Sequence, residues 1–217
     1  MELNPLTALS PIDGRYARQT DALRDIFSEC AFMNARVRVE VEWLISLSEA
    51  GFAELPHLSD HGKAFLRGLA DNFSLADCEA IKEIEKTTNH DVKAVEYWIK
   101  NQVAHDEELK SASEFVHFSC TSEDINNTSH AIMLKRGREA LADYLQQIHD
   151  TIAGFAHQWA EIPMLSRTHG QTASPTTVGK EFANVAVRLE RVIEAIRAVK
   201  IYAKMNGAVG NYNCLLY

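Results

Sequence analysis

Long hydrophobic runs are missing from this chain. No stretch reaches the ~18 consecutive apolar residues of a membrane-spanning helix. Met1-Glu2-Leu3-Asn4-Pro5 has neither the basic start nor the apolar middle of a signal peptide, so the expected compartment is the cytoplasm and no membrane partner is expected. Cysteine is scarce, and Cys30, Cys78, Cys120 and Cys214 include no Cys-x-x-Cys pair, which reads as reduced thiols rather than a disulfide frame or a zinc site. A basic excess is absent too: the formal net charge of −8 argues against nonspecific nucleic-acid binding. A small phosphorylated ligand, by contrast, needs only a few locally placed cations. No apolar/polar alternation of any length occurs, so any sheet is expected to be a minor ribbon, and no internal repeat is visible.

What the chain does have is helical periodicity. With 46% hydrophobic and 24% charged residues over 217 positions, it can bury a substantial core. Leu23, Ile26, Phe27, Cys30, Val37, Val41, Leu44 and Ile45 recur at helical spacing from Thr20 until Gly51, which suits a C-cap. Ser59 and Ser74 suit the N-caps of two shorter helices, the second with Asp77 as a variant capping box. A stripe through Ile125, Ile132, Leu141, Leu145, Ile148, Ile152, Phe155 and Trp159 predicts one helix from Ser122 to about Ala160, on the order of 55 Å long. Another stripe, from Val178 through Phe182, Val185, Leu189, Val192 and Ile196 to Val199, predicts a helix from Pro175 to about Ala203. Helices this long need long partners, so the expected fold is all-α, an elongated bundle with a smaller helical N-terminal domain. The chain supplies too few such helices to close the bundle by itself.

Polar residues gather at the helix junctions. Pro11-Ile12-Asp13-Gly14-Arg15-Tyr16 is turn chemistry, and its plain reading is a mobile arm. Arg15 beside Tyr16 would equally make a compact phosphate grip, a charged planar fork next to a hydroxyl. Thr87-Thr88-Asn89-His90-Asp91 stands at a helix entrance, where capping by Asn89 or Asp91 is explanation enough. Thr121 or Ser122 can cap the long helix, with Glu123 and Asp124 in its first turn. Ser166-Arg167-Thr168-His169-Gly170-Gln171-Thr172-Ala173-Ser174-Pro175-Thr176-Thr177 reads as a polar loop between the two longest helices, with Ser174-Pro175 restarting a helix and His169 just outside its N-terminus.

Those junctions, in that order and with the glycine turn from Gly207 to Asn213, resemble the adenylosuccinate lyase family of the aspartase/fumarase superfamily. The resemblance runs over the whole chain, and Thr-Thr-Asn-His-Asp resembles the bacterial branch. It implies β-elimination of fumarate from adenylosuccinate to give AMP, and from the succinyl-carboxamide ribotide SAICAR to give AICAR, in purine biosynthesis. It also implies no metal and no organic cofactor, and a homotetramer of three-domain helical subunits whose active sites each draw on three chains. Residues 1–111 would then be the N-terminal domain and 112–217 the first part of the central bundle, with the remainder and the C-terminal domain absent. Carried over residue by residue, Arg15 and Tyr16 would contact the nucleotide phosphate, and His90, Asp91 and Val92 would line the substrate pocket. Thr121 and Ser122 would receive a succinyl carboxylate, and His169 would be the general acid.

The reaction fits these residue types. Removing a proton beside a carboxylate builds negative charge, which hydroxyls, cations and helix-end amides stabilise, and the departing nitrogen needs a proton donor. Histidine, titrating at about 6.5 unperturbed, is suited to the second task. His149 and His157, inside the long helix, read as capping or packed residues rather than catalysts. The family's catalytic serine sits on a Met-Pro-x-Lys-x-Asn-Pro loop that these 217 residues do not contain, so the expectation is little or no activity from them alone. Alternatives are another lyase of the superfamily, argininosuccinate lyase or class II fumarase, and a non-catalytic helical assembly fragment.

Overall fold

The computed structural model describes residue 4, residues 6–51 and residues 54–212. Cys214 and the rest of the Cys-Leu-Leu-Tyr tail lie outside them. The chain divides into two compact units: residues up to Leu134 together with those from Tyr202 onward, and Lys135–Ile201.

In the first unit, residues 6–20 form successive turns in which Gly14 is buried and Thr20 Oγ1 donates to the Ile12 carbonyl at 3.2 Å. The helix expected from Thr20 is interrupted. A 3-10 turn and the short α1 (Arg24–Phe27) end at Ser28, whose extended backbone starts α2 (Glu29–Glu49) and whose hydroxyl accepts from the Ala31 amide. The Ser28 cap offsets part of the cost of the break, satisfying one of the amides that a new helix start leaves without an intrahelical partner. α2 ends as predicted, with Gly51 left-handed at φ +68°.

α2 is buried on nearly every side, by α3 (Asp60–Asp71), α4 (Leu75–Thr88), α5 (Asp91–Val103) and α6 (Glu107–Ala112). Its Met33, Val37, Val41, Leu44 and Ile45 pack in one cluster with Leu66, Ile81, Val95, Trp98, Ile99 and Leu109. Each large aliphatic side chain so enclosed contributes about 1.5–3 kcal/mol. Ser59 caps α3 through the Gly62 amide, and Asp77 takes both the amide and the hydroxyl of Ser74 at the start of α4.

One expectation fails in this core. Cys30 and Cys78 are joined by a disulfide, their Cα atoms 5.7 Å apart and 48 residues apart in sequence. The lack of a Cys-x-x-Cys spacing spoke only to local pairing, and it is the packing of α4 beside the start of α2 that brings these two together.

α7 (Ser122–Gln158) is the long helix expected, 37 residues, with its first turns in the first unit and its remainder in the second. The second unit departs from the sequence reading at Ser166–Thr177. Instead of a loop and a helix start there is an antiparallel ribbon, β1 (Pro163–Thr168) and β2 (Gln171–Thr177), and α8 begins only at Val178 and ends at Ala198. Thr177 is the cap, its hydroxyl accepting from the Lys180 amide, so Ser174 and Pro175 are strand residues. Both strands of a two-stranded ribbon are edges, which is where a proline is tolerated. α8 meets α7 closely: a Cβ on Gly179 would stand 2.3 Å from the Ala156 carbonyl oxygen.

The second unit has scarcely any core of its own. Ala142, Gly179, Ala186 and Ile193 are its only buried residues, while Leu141, Tyr144, Ile148, Val185, Val187 and Val192 are about half exposed. Among the described residues no helix is long and apolar enough to cross a membrane.

Candidate active site

Two polypeptide junctions of the first unit meet at one cleft of about 570 Å³, lined by His90, Lys93, His117, Thr121, Ser122 and Asn126 among others. At the first, α4 ends in Asn89, left-handed at φ 49°, and His90 caps α5 with its ring, Nδ1 accepting from the Lys93 amide at 3.2 Å. Neither Asn89 nor Asp91 is the cap: asparagine's tolerance of the left-handed region commits it to closing α4. An Nδ1 that accepts leaves the neutral ring's proton on Nε2, which points at Ser122 Oγ 3.3 Å away. Ser122 therefore receives one hydrogen bond and keeps its own proton for another acceptor.

The second junction is the start of α7. Thr121 precedes it, with its amide and hydroxyl both donating to Asp124 Oδ2 at 2.9 and 3.0 Å. The opposite oxygen, Oδ1, accepts from Lys204 Nζ and the Asn206 amide, both at 2.9 Å, and the Gly207 amide is 3.2 Å from each oxygen. Asp124 is buried, which alone would raise its pKa; these donors, Lys204 first, outweigh burial and hold it at about 2. Asn127 pairs with the backbone amide and carbonyl of Lys204, so α7 and the segment from Lys204 to Gly207 are fastened together beside the cleft.

A buried polar layer supports both junctions. Arg36, on α2, donates to Asp91 and, at 2.9 Å, to Asn126, with its guanidinium 3.9 Å from the centre of the Phe32 ring. Asp91 also accepts from the Val92 amide at 2.9 Å, and Arg36 with that amide lowers its pKa against the opposing effect of burial. Val92 packs with Val39 and Ile125 in a small apolar cluster beneath. One turn along α2, fully buried Glu40 meets His117 Nδ1 at 2.6 Å. Burial raises Glu40. Burial would depress His117, but the hydrogen bond and charge of Glu40 prevail and raise it. His117 is left-handed at φ 63°, a conformation that its bond to Glu40 helps to hold. Lys93 is kept protonated by Glu96 at 2.7 Å. The cleft thus presents an ammonium, hydroxyls, imidazoles and a helix N-terminus, an environment for an anion.

Of the residues expected from the sequence, His90, Thr121 and Ser122 share this cleft, and Asp91 and Val92 support it from below. Arg15 and Tyr16 are exposed, with the guanidinium 5.4 Å from the tyrosine ring, and they line none of it. His169 belongs to the second unit. With Gly170 it makes the two-residue turn of the ribbon, at φ 51° and 76°, the paired positive values of a type I′ hairpin. It is exposed at the ribbon tip, eight residues before the Thr177 cap, so the helix N-terminus expected beside it is not there.

A family model described as lyase matches residues 14–216. The chain belongs to this lyase family. It is 55% identical over its whole length to adenylosuccinate lyase of Vibrio cholerae, covering 48% of that protein, and 54% identical to that of Haemophilus influenzae with the same coverage. Against the Escherichia coli enzyme the identity is 53% over 98% of this chain and 47% of that protein. The chain spans about half the length of the curated relatives it matches. In fold it is similar to a fumarate lyase from Mesorhizobium, with a TM-score of 0.69, 19% identity, and 88% of this chain against 43% of that one. A muconate cycloisomerase from Acinetobacter gives 0.67, 21% identity, and 88% against 44%.

Several residues that build this lyase chain's cleft went unnoticed in the sequence. Arg36 and Glu40 were hidden in an apolar stripe, and Lys204 stood just past the expected end of the second long helix. A visible signal was there for two of them, since a charge at each of two turns of an otherwise buried helix demands partners. Among the described residues no group of His, Cys, Asp and Glu is arranged to hold a metal ion.

Proposed function

We propose that these residues form the first half of a cytoplasmic lyase of purine biosynthesis, one that eliminates fumarate from adenylosuccinate to give AMP and from SAICAR to give AICAR. The observation that carries this reading is the cleft in which the His90 cap and the Thr121-Ser122 start of α7 converge beside Lys93. A succinyl carboxylate there would accept the free proton of Ser122 and face the positive end of a long helix. The charge that builds on it when the neighbouring carbon loses its proton is best stabilised at such a place. Thr121, whose hydroxyl is engaged with Asp124, would offer the carboxylate its position rather than its proton. Arg15 and Tyr16 would bind the nucleotide phosphate, His90, Asp91 and Val92 would shape the pocket, and His169 would protonate the departing nitrogen.

The half-exposed apolar residues of α7 and α8 support a homotetramer in which neighbouring copies bury that surface and bring His169 and Arg15 to sites completed by other subunits. In that assembly residues 1–111 would be the N-terminal domain and 112–217 would open the central bundle. The base that removes the carbon-bound proton comes from outside these residues, on the serine loop characteristic of the family resembled. The test is protection against thermal unfolding. AMP and adenylosuccinate should raise the melting temperature, whereas argininosuccinate and malate should not. Equal or greater protection by argininosuccinate or malate, or blindness to all four, overturns the assignment.

A further inference from the structure

We propose that Cys30 and Cys78 are a reversible modification site, a redox latch between α2 and α4 that opens and closes by exchange with a low-molecular-weight disulfide such as oxidised glutathione. The placement is asymmetric in the way such exchange requires. Cys78 is buried in the main core cluster, while Cys30 is only half-buried, in the first turn of α2 at the positive end of its dipole. The Cys30 thiolate attacks the incoming disulfide, forming a mixed disulfide and releasing one glutathione thiolate. The Cys78 thiolate then attacks Sγ of Cys30, closing the protein bond and releasing the second thiolate. Two protein thiols are oxidised, one glutathione disulfide is reduced to two thiols, and the reverse sequence reopens the latch.

The bond matters because, beyond the place Ile81 takes in the core cluster that α2 shares, little else ties these elements. α4 packs chiefly against α5 and only lightly against α2. Apart from the disulfide, their link includes an exposed ion pair, Lys82 to Glu29 at 3.7 Å, of a kind that contributes little. α4 also leads directly through the left-handed Asn89 into His90, so freedom gained along α4 reaches the edge of the cleft. The inference stands on this geometry and not on the lyase reading.

The experiment is to equilibrate the purified protein in glutathione buffers from fully reduced to fully oxidised, quench by alkylation and digest without reductant. Mass spectrometry should find a peptide pair joining Cys30 and Cys78 that grows with the oxidised fraction, disappears on return to reduced buffer, and is absent from Cys30→Ser. Amide exchange over residues 75–88 should be faster by about tenfold or more in the reduced state, as expected when a local opening becomes easier. Free, alkylatable Cys30 and Cys78 at the oxidised end overturn the proposal. So does a bond that persists at the reduced end, and so does identical exchange over 75–88 in the two states.

Discussion

Replacing Asp124 by asparagine removes the charge and turns one accepting oxygen into a donor, as protonation of the acid does, with nearly the same shape. The carboxylate is held at about 2 against an ordinary 3.8, and at about 1.4 kcal/mol per tenfold change in proton affinity that difference corresponds to about 2.5 kcal/mol of stability. The sign follows from the direction. A carboxylate more acidic in the folded protein than in the unfolded chain contributes its full stabilisation above about pH 4 and loses it as the pH falls towards 2. Asp124→Asn should therefore be about 2.5 kcal/mol less stable than the parent at pH 7, and the gap should close between about pH 4 and pH 2. Urea unfolding followed by circular dichroism across that range measures both. A gap under about 0.5 kcal/mol at pH 7, within the scatter of ordinary surface substitutions, would refute the reasoning. A gap of constant size down to pH 2 would refute it equally.

Ser122→Ala should weaken AMP-independent binding of succinate-type dianions by about tenfold or more, the loss of a hydrogen bond to a charged group, as read by calorimetry. Unchanged affinity would place the carboxylate elsewhere. Glu40→Gln should lower the titration of His117 seen by NMR, because the carboxylate is what raises it. The stability His117 gains from that partner is fully present below about pH 6.5 and lost as the pH rises through its raised value, and the variant should lose this dependence. Gly179→Ala should cost about 2–3 kcal/mol, visible as a lower melting temperature, since its Cβ would lie 2.3 Å from backbone oxygen and 2.6 Å from the Ala160 Cα, neither of which can swing aside. A neutral result would mean that α7 and α8 are not in that contact.

Much of the helical framework could be read from local pattern. The stripe from Val37 to Ile45, the caps at Ser59 and Ser74 and the left-handed Gly51 are each decided within a few residues, and the sequence reading found them. The ribbon was missed because its strands are largely exposed on both faces, so they carry no alternation, and because Ser174-Pro175 satisfies the rules for a helix start as well as those for an edge strand. His169-Gly170 was a usable turn signal that those rules overshadowed. The candidate site divides in the same way. Thr121, Ser122 and His90 announce themselves at helix junctions, whereas Arg36, Glu40, His117 and Lys204 acquire meaning only through partners between 55 and 90 positions away. The Cys30–Cys78 bond is tertiary in the same sense, invisible to any spacing rule.

The most direct test of the central claim is fumarate release from adenylosuccinate by a chain in which these residues are continued through the second half that the relatives carry, measured with and without His169→Gln. The account predicts fumarate and AMP in equal amounts, with the variant still binding AMP while turning over about 100-fold or more slowly, the usual contribution of a positioned acid. No fumarate from the parent protein, or an undiminished rate from the variant, would contradict it.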